Sequence, residues 1–453
     1  MGTAMLVAVM AAVALANAAT NGAETTASLS ARSEDPVVLL GSSVPGLSGV
    51  LPSRVVAFRY AGAWQQVPVQ VDERAARDLG IVYNSAPVGV VVTVYTDSTT
   101  WTGPDANQFV DADDEIVVMA KDAGALAPAG SPAGTVGSRT RLTITDPISN
   151  SVGYVYLFAQ NGSLRQDAGR PYVRYDFRLL SGAYKPTYKL SKGPNPEDST
   201  VTTAAYVRHF SDRWIDDVLQ NRLGSGVDIL DRHKFLFAPD DCLRSEDTFS
   251  SGRGAFIANI TGPVRAIRSL LGANSGPLTQ RDHLFYERRH DIRTFMRVHA
   301  VVGGMDFFDY SPAASGMRYR NNLNTGGVVV DGARDAVMTG TLSWESVSGT
   351  QGSVTIVHTG ETNIPSLTPS SYYLDTTSPT SRERQCTGDM WAYGASGPWI
   401  NTPIPSTDPT TGSSFFLRRF RSLYFDAPGV TAVQSAARVS QVSQPLRVVA
   451  AAD

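Results

Sequence analysis

“RTRLTITD” at residues 139–146 and “GYVYLFAQ” at residues 153–160 are rich in Thr, Val, Tyr and Phe, residue types that favour β-strands. They close a series of five strand candidates that begins at residue 67. The other three are “VPVQVDE” (67–73), “VGVVVTVYT” (88–96) and “EIVVMAKD” (115–122). Because no helical periodicity lies between these closely spaced segments, they predict a sandwich or small barrel as the first domain.

The whole chain is expected to be mostly β, with two antiparallel β-sandwich domains and one or two short helices. Its 453 residues suffice for two domains, and its 40 glycines and 26 prolines separate many short Thr-, Val- and Tyr-rich runs. A shift toward Gly, Pro and charged residues at 161–177 marks the expected boundary. We therefore predict one domain over residues 19–165 and a larger β-sandwich domain over residues 166–453.

Two segments of the second half have helical spacing. “SDRWIDDVLQNRLGSG” at 211–226 offers Ser211 as an N-cap, apolar residues three and four positions apart, and Gly224 as a stop. “PGVTAVQSAARVSQV” at 428–442 has a weaker pattern of the same kind. Residues 340–360 instead contain two strand-like runs around a glycine-containing turn, which predicts a β-hairpin.

The first eighteen residues have the features of a secretory signal peptide. They are uncharged, carry an apolar run from Met5 to Leu15, and end in the small-residue pattern Ala16-Asn17-Ala18. The alternative is an unstructured Ala-rich N-terminus. No later segment is apolar over the length that a membrane span requires. The sequence thus predicts a secreted, extracellular protein without a membrane span.

Charge and motif content exclude several function classes. With 39 Lys and Arg against 42 Asp and Glu, the net charge of −3 gives no overall preference for nucleic acid or anionic membranes. The phosphate-binding loop, the nucleophile elbow of α/β-hydrolases and the H-E-x-x-H zinc helix are missing from the sequence. No organic cofactor is therefore indicated, and any charge-based recognition must be local.

Cys242 and Cys386 are the two cysteines of the chain, so a single intramolecular pairing exists. In an oxidising compartment they would form a disulfide between distant parts of the second half. The alternative is that both remain free thiols, since the sequence gives no distance between them. The spacings of a zinc site are missing.

“RDHLFYERRHDIRTFMRVHA”, residues 281–300, is the most basic and histidine-rich stretch of the sequence. Two strands that turn or bend around His290-Asp291 would place the odd-numbered side chains on one face and mostly apolar ones on the other. The odd-numbered set comprises Arg281, His283, Phe285, Glu287, Arg289, Arg293, Phe295, Arg297 and His299. This face is expected to be either a cationic, aromatic binding surface or simply the solvated face of a sheet with cross-strand ion pairs.

Just upstream, “NITGPVRAIRSLLGANSGP” contains Gly262-Pro263-Val264-Arg265 and leads into this strand pair. With that strand pattern, the segment resembles the large β-sandwich domains of polysaccharide lyases and galactose-mutarotase-like proteins. The resemblance covers residues 165–450 at most. It implies a curved sheet that presents His, Arg and Tyr side chains to a sugar.

The sequence suggests an acidic polysaccharide or glycan as partner, because arginine binds carboxylate or sulfate through paired hydrogen bonds. In an elimination lyase, Arg289 or Arg293 would neutralise the negative charge of the substrate carboxylate, and His290, His299 or Tyr286 would transfer protons. Binding without turnover would use the arginines with the aromatic residues of “QCTGDMWAYGASGPWI”. The substrate-binding candidates are Arg281, His283, Arg297, Trp391, Tyr393 and Trp399. A structural matrix protein, in which the aromatic residues belong to the core, is a further alternative.

A cluster of acidic residues precedes the strand candidate at 115–122. Calcium prefers several oxygen ligands from a flexible loop, which this segment offers. The candidate ligands are Asp105, Asn107, Asp111, Asp113, Asp114 and Glu115. The spacing is not that of an EF-hand, so an acidic surface turn is the alternative to a Ca²⁺ site.

Overall fold

The computed structural model describes residues 29–168, 170–180, 196–237, 242–252, 254–273, 276–297, 300–380, 383 and 386–453. Strands account for 47% and helices for 11%, so the predicted mostly β fold is confirmed. The expected signal peptide at residues 1–18 lies outside the described residues. None of the helices within these ranges has the length and apolar content needed to cross a membrane.

The described part of the chain forms antiparallel sheets of nine, five, four, four, three and two strands. In chain order the strands are β1 (Pro36–Leu40), β2 (Val55–Tyr60), β3 (Trp64–Val67), β4 (Gln70–Asp72), β5 (Arg74–Asp78), β6 (Val91–Tyr95), β7 (Glu115–Met119), β8 (Thr135–Thr145), β9 (Val152–Gln160), β10 (Val173–Asp176), β11 (Ser199–Thr203), β12 (Tyr206–Phe210), β13 (Asp216–Asn221), β14 (Leu230–Leu236), β15 (Ala255–Thr261), β16 (Ala266–Leu271), β17 (Thr279–Phe285), β18 (Arg289–Arg297), β19 (Gly304–Tyr310), β20 (Arg318–Asn321), β21 (Asn324–Val329), β22 (Trp344–Gly349), β23 (Gly352–Thr362), β24 (Ser370–Thr376), β25 (Ala392–Ile400), β26 (Phe416–Asp426) and β27 (Arg447–Ala452). The α-helices are α1 (Leu79–Val82), α2 (Glu246–Ser251) and α3 (Ala432–Ser443).

The first part of the chain folds around two facing sheets. A five-stranded sheet, ordered β27-β8-β9-β2-β3, packs on the three-stranded sheet β1-β7-β4. Alternate side chains of the strands meet between them, among them Ile116, Leu142 and Leu157. Each of the five strand candidates between residues 67 and 160 contains residues of a strand.

The last strand of the chain belongs to this first pair of sheets. β27 pairs with β8, with Arg447 opposite Thr145 and Ala452 opposite Thr140. Assigning every residue from 166 to 453 to the second domain was therefore wrong for this strand, because its backbone hydrogen bonds are made to β8. The boundary near residue 165 remains a prediction for the rest of the chain.

The nine-stranded sheet is the central layer of the molecule. Its order is β15-β16-β17-β18-β26-β23-β22-β20-β21. On one face, Leu284 packs in the same apolar cluster as Val117 of the three-stranded sheet. On the other face, Ile292 packs with Phe210 and Phe308 from the two four-stranded sheets, β10-β11-β12-β13 and β14-β19-β25-β24. Strands β17 and β18 are thus covered on both faces.

The two helical expectations had different outcomes. Residues 211–226 do not form a helix, since Asp216–Asn221 is strand β13 and pairs with β12. Sheet pairing outweighs the local helical spacing there. The C-terminal prediction is confirmed, because Thr431 and the third residue of α3, Gln434, form a reciprocal capping box. The predicted hairpin is present as β22 and β23.

The predicted disulfide between Cys242 and Cys386 is confirmed. The two Cα atoms are 5.2 Å apart, although 144 positions separate them in the sequence. Such a link removes much of the freedom of the unfolded chain, because it closes a long loop. It attaches the segment before β25 to the segment before α2.

Arg265 joins the central sheet to the first pair of sheets. It is fully buried, and its Nη2 lies 2.8 Å from Asp72 Oδ2 and 2.5 Å from Glu115 Oε2. Burial would raise the pKa of Glu115, but Arg265 and Arg74 outweigh it and lower the pKa to about 2. The backbone N–H groups of Val264 and Arg265 also donate to Gln70 Oε1.

The packing around Gly262 explains why this position of the segment is a glycine. A methyl group on its Cα would collide with the side chain of Gln70. The Gly262-Pro263-Val264-Arg265 segment therefore serves docking between the layers.

Replacing Arg265 with Met should destabilise the protein by about 3–5 kcal/mol, because buried Asp72 would lose its cation and Glu115 would keep only Arg74. The free energy of unfolding from urea titration provides the measurement. Arg334→Ala, which breaks the exposed pair with Glu383, is the control and should cost less than about 1 kcal/mol. Equal effects of the two substitutions would contradict the assigned role of Arg265.

Candidate functional site

The basic stretch at 281–300 forms a tight β-hairpin. Tyr286 N–H donates to the carbonyl of Arg289, and Phe285 is opposite His290, so the two-residue loop is Glu287-Arg288. The turn therefore lies three positions before the predicted bend at His290-Asp291. A two-residue loop pairs residues of opposite parity, as in Arg281 opposite Thr294. Odd-numbered residues of β17 consequently share a face with even-numbered residues of β18.

The expectation of an exposed cationic face was wrong, whether as a binding surface or as a solvated one. The exposed fraction is 2% for Arg281, 3% for His283 and 0% for His290. The physical reason is that both faces of this hairpin are covered by other layers. The charged residues of the hairpin must therefore find partners inside the protein.

Three of the predicted catalytic residues lie on the face toward the first pair of sheets. Arg289 Nη1 donates to Asp35 Oδ1 at 2.8 Å, and Tyr286 Oη accepts from Arg265 Nη1 at 3.1 Å. Arg293 is on the same face. Burial would lower the pKa of its guanidinium, but the interactions with Tyr95 and Tyr286 contribute to raising it. These residues form part of the contact between layers.

The predicted histidines lie on the opposite face. His283 Nδ1 and His290 Nε2 are 3.0 Å apart, and the His290 ring stacks on Phe285. Burial lowers the pKa of both histidines well below the usual value, so both are neutral near pH 7. His299 lies outside the described residues. The structure thus does not bring His290 and Tyr286 together, and their catalytic role remains a prediction.

Asp306 of β19 is the centre of a buried charge network on this second face. Its Oδ2 accepts from Arg281 Nη2 at 2.8 Å, and its Oδ1 accepts from Arg421 Nη2 at 2.7 Å. His233 Nε2 lies 2.8 Å from Oδ1. Burial opposes ionisation of Asp306, but Arg281 and Arg421 outweigh it and hold the pKa far below its usual range. Both carboxylate oxygens are therefore already occupied.

An apolar recess opens beside this network, at the end of the sandwich between the nine-stranded sheet and the sheet of β14, β19, β25 and β24. We call it the inner recess, and its cavity volume is about 30 Å³. Its lining is Phe235, Phe237, Thr294, Met296, Gly304, Met305, Asp306, Pro369, Pro398, Ile400, Ile404, Leu417 and Arg419. This volume admits one small group of a ligand and not a whole sugar ring.

Arg419 is the polar group of the inner recess that has no partner. It makes no ion pair and no side-chain hydrogen bond with any residue that the structure describes. Its strand neighbours, Gly360 and Thr294, carry no charge. Burial, only partly offset by Asp306, lowers the pKa of Arg419 to about 10, so it remains cationic near neutral pH. The recess therefore presents an unneutralised guanidinium.

Two further concavities continue from the inner recess. The side recess, of about 10 Å³, shares Met296, Ile404 and Leu417 with it and includes the predicted substrate-binding residue Arg297. A wider open groove of about 490 Å³ follows, between the loops at 364–368 and 400–410. We call the three together the end groove. Of its three parts, the open groove has the volume for a sugar ring.

Arg419, Arg421, Asp306 and His233 are not among the site residues that the sequence predicted. A signal for the first two was present in “FLRRFRSLYFD” at 416–426, where alternate arginines of a strand share a face. The pairing with Asp306 depends on a strand more than a hundred residues away, which no local pattern reveals.

The three predicted aromatic residues do not form one platform. Trp391 is 44% exposed, with the Tyr393 ring 6.3 Å from its own. Trp399 packs with Tyr372 on the outer side of the same sheet. Trp391 precedes strand β25, whereas Trp399 lies near its end. Their role in sugar stacking remains a prediction.

Three of the six predicted calcium ligands come close together. Ligand oxygens of Asp111, Asp113 and Asp114 lie within 4.8 Å of one another. Burial and the hydrogen bond and charge of Asp111 raise the pKa of Asp113 to about 6. Glu115 is instead paired with Arg74 and Arg265.

The remaining two predicted ligands bond within the loop. Asp105 Oδ1 accepts from the N–H of Ala106, and Asn107 Nδ2 donates to Asp111 Oδ2. Calcium binding by this loop remains a prediction.

If the loop binds calcium, the melting temperature should be higher in Ca²⁺ than in chelator, because a ligand of the folded state alone stabilises it. At a hundredfold excess over the dissociation constant the gain is about 2.7 kcal/mol. Asp111→Asn should abolish the difference, whereas Asp408→Asn in an exposed loop should preserve it. Identical melting in calcium and chelator would remove the calcium site.

A second group of carboxylates, Asp231, Asp309 and Asp389, also converges. Lys234 Nζ is paired with buried Asp309 and lies 3.6 Å from Asp231 Oδ2. The chain itself therefore supplies a cation to this cluster.

Comparison with known proteins gives only remote similarities. No protein-family model and no curated protein matches the chain. Among solved structures it resembles a mutant heparan sulfate lyase from Pedobacter heparinus, with 7% identity, a TM-score of 0.30, and coverage of 60% of this chain and 38% of the lyase. A candidate aldose 1-epimerase from Escherichia coli K12 has 8% identity and a TM-score of 0.29, and the match covers 56% of this chain and 100% of the epimerase.

A candidate aldose 1-epimerase from Klebsiella pneumoniae has 6% identity and a TM-score of 0.28, and the match covers 67% of this chain and 95% of the epimerase. The resemblance to polysaccharide lyases and mutarotase-like proteins is thus present but weak. We transfer no residue role from these structures.

Proposed function

We propose that this protein binds an acidic glycan in the end groove, with Arg419 holding a carboxylate or sulfate group. The observation that carries the proposal is the unpaired guanidinium of Arg419 in an apolar recess. Arg419 is half-buried, and an anionic ligand would supply its missing counter-charge through paired hydrogen bonds.

The charge balance of the inner recess favours an anion. Arg281, Arg421 and Arg419 face a single carboxylate, Asp306, which the first two already engage. The nearby buried pair of Arg208 and Asp216 adds no net charge. An anionic group at Arg419 would therefore reduce a local excess of positive charge in a chain whose net charge is −3.

The walls of the end groove suit a carbohydrate. Apolar and ring-bearing side chains, such as Phe415 and Pro405, offer surfaces for the C–H faces of sugar rings, while Thr402 and Thr410 offer hydroxyl groups. Sugar-acting proteins are among the remotely similar structures, but the proposal rests on the groove. The confirmed disulfide is compatible with the extracellular location that goes with a secreted protein.

The described residues favour binding over β-elimination. Elimination needs a base beside the C5 proton. Asp306 accepts from Arg281 and Arg421 on its two oxygens, and Thr294 Oγ1 accepts from Arg281 Nε. No other carboxylate, histidine or tyrosine of the described chain lines the inner recess.

Substitution of Arg419 by Met should weaken binding of an acidic glycan about 10- to 100-fold, the effect of losing a charge-assisted hydrogen bond. Calorimetric titration with polygalacturonate, alginate, hyaluronan and heparan sulfate provides the measurement, with dextran as the neutral polymer. The unliganded variant should melt at about the same temperature, because half-buried Arg419 makes no ion pair with a described residue that its loss would break.

The matched control is Arg418→Met, since Arg418 is the adjacent residue but is exposed and paired with Glu361. It should change affinity less than about twofold, as expected for a surface ion pair. Unchanged binding by the Arg419 variant, or binding of none of the four polyanions, would overturn the proposal.

Incubation with the same polymers should produce no absorbance from unsaturated uronate products, because the inner recess lacks a free base. The assay follows absorbance over many hours at several pH values. A steady increase that Arg419→Met abolishes would show an elimination lyase and would replace the binding function with a catalytic one.

A further inference from the structure

Arg297 supplies a second cationic group in the end groove. Its Nη2 donates to Gln280 Oε1 at 2.9 Å, whereas its buried Nη1 has no partner among the described residues. Burial lowers the pKa of Arg297 from its usual value, although Asp282 offsets part of this effect. Even so, Arg297 forms no ion pair with the carboxylates that the structure describes. Arg297, which lines the side recess, thus has one donor that no described residue satisfies.

The two arginines belong to one continuous binding surface. Met296, Ile404 and Leu417 line both the inner and the side recess, so a chain lying on them passes from one arginine to the other. Arg419 is opposite Thr294 in the sheet, and Arg297 is three positions farther along the same strand. That difference corresponds to about 10 Å along the strand, which exceeds the reach of one anionic group.

The end of the sheet allows both arginines to face the same ligand. Arg297 and Arg419 start from opposite faces, because Arg297 pairs with Phe416 and Thr294 with Arg419. The side recess nevertheless contains residues from both faces, Arg297 and Phe416 from one and Met296 and Leu417 from the other. The groove therefore wraps around the ends of β18 and β26.

We infer that the ligand is a polyanion and that the end groove binds two of its charged groups at once, one at Arg419 and one at Arg297 Nη1. This inference rests on the proposed function and adds the substrate class. Sugars with one charge occupy only the Arg419 position, whereas chains with repeated carboxylates or sulfates occupy both. The apolar residues shared by the two recesses contact the chain between the charges.

The test compares single-charge and multiple-charge ligands, using galacturonic acid and size-fractionated oligomers of whichever of the four polyanions binds most tightly. Arg297→Gln should weaken oligomer binding about tenfold, the loss of one charge-assisted hydrogen bond, and leave the monosaccharide affinity unchanged. The slope of log Kd against log salt concentration should fall in Arg297→Gln and in Arg419→Met, since each variant neutralises fewer ligand charges. Arg418→Met again serves as the control.

The outcomes separate the two proposals. If Arg297→Gln binds oligomers like the unmodified protein while Arg419→Met does not, the two-charge inference fails and the proposed function stands. If neither variant changes binding, both fail. If Arg297→Gln has a lowered melting temperature, Arg297→Lys provides the second variant. Lys keeps the positive charge at this position, so this variant should retain the salt dependence that Arg297→Gln loses. A Lys variant with the reduced slope of Gln would overturn the inference.

Discussion

Burial of both faces of strands β17 and β18 in the central sheet is the constraint on which the rest of the structure depends. Most charged side chains of this hairpin have little access to solvent, and a desolvated charge without a partner costs several kcal/mol. The surrounding layers supply the counter-charges, Asp35 on one face and Asp306 on the other. The most basic stretch of the sequence thus holds three layers together, instead of forming a surface.

The local patterns predicted the elements better than their surroundings. Thr-, Val- and Tyr-rich runs identified strands correctly, and the capping box of Thr431 and Gln434 explains why the C-terminal helix was predictable from nearby residues. The segment at 211–226 failed because its spacing satisfies a helix equally well. Asp216–Asn221 forms a strand because it pairs with β12, and the local sequence does not contain that information.

The faces of the basic hairpin were not predictable for a related reason. The two-residue loop at Glu287-Arg288 places even-numbered residues of β18 on the face of Arg281, whereas uninterrupted alternation through a bend places odd-numbered ones there. The sequence of the stretch does not distinguish a tight turn from a bend. Burial is even less local, since the residues covering the hairpin come from strands throughout the chain. The disulfide was predictable because two cysteines permit one pairing, whereas the network of Asp306 has many conceivable partners.

The engagement of Asp306 by other groups supports the anion site proposed for the inner recess. A carboxylate beside Arg419 would ordinarily pair with it and leave less charge for a ligand to neutralise. Here Arg281 and Arg421 hold the two oxygens of Asp306 and His233 lies beside one of them, so Asp306 attracts Arg419 without a hydrogen bond to it. On the proposed function, the two buried arginines act on a ligand without contacting it, because they occupy the carboxylate with which Arg419 would otherwise pair. The neutral neighbours Gly360 and Thr294 complete this arrangement, since neither offers a competing charge.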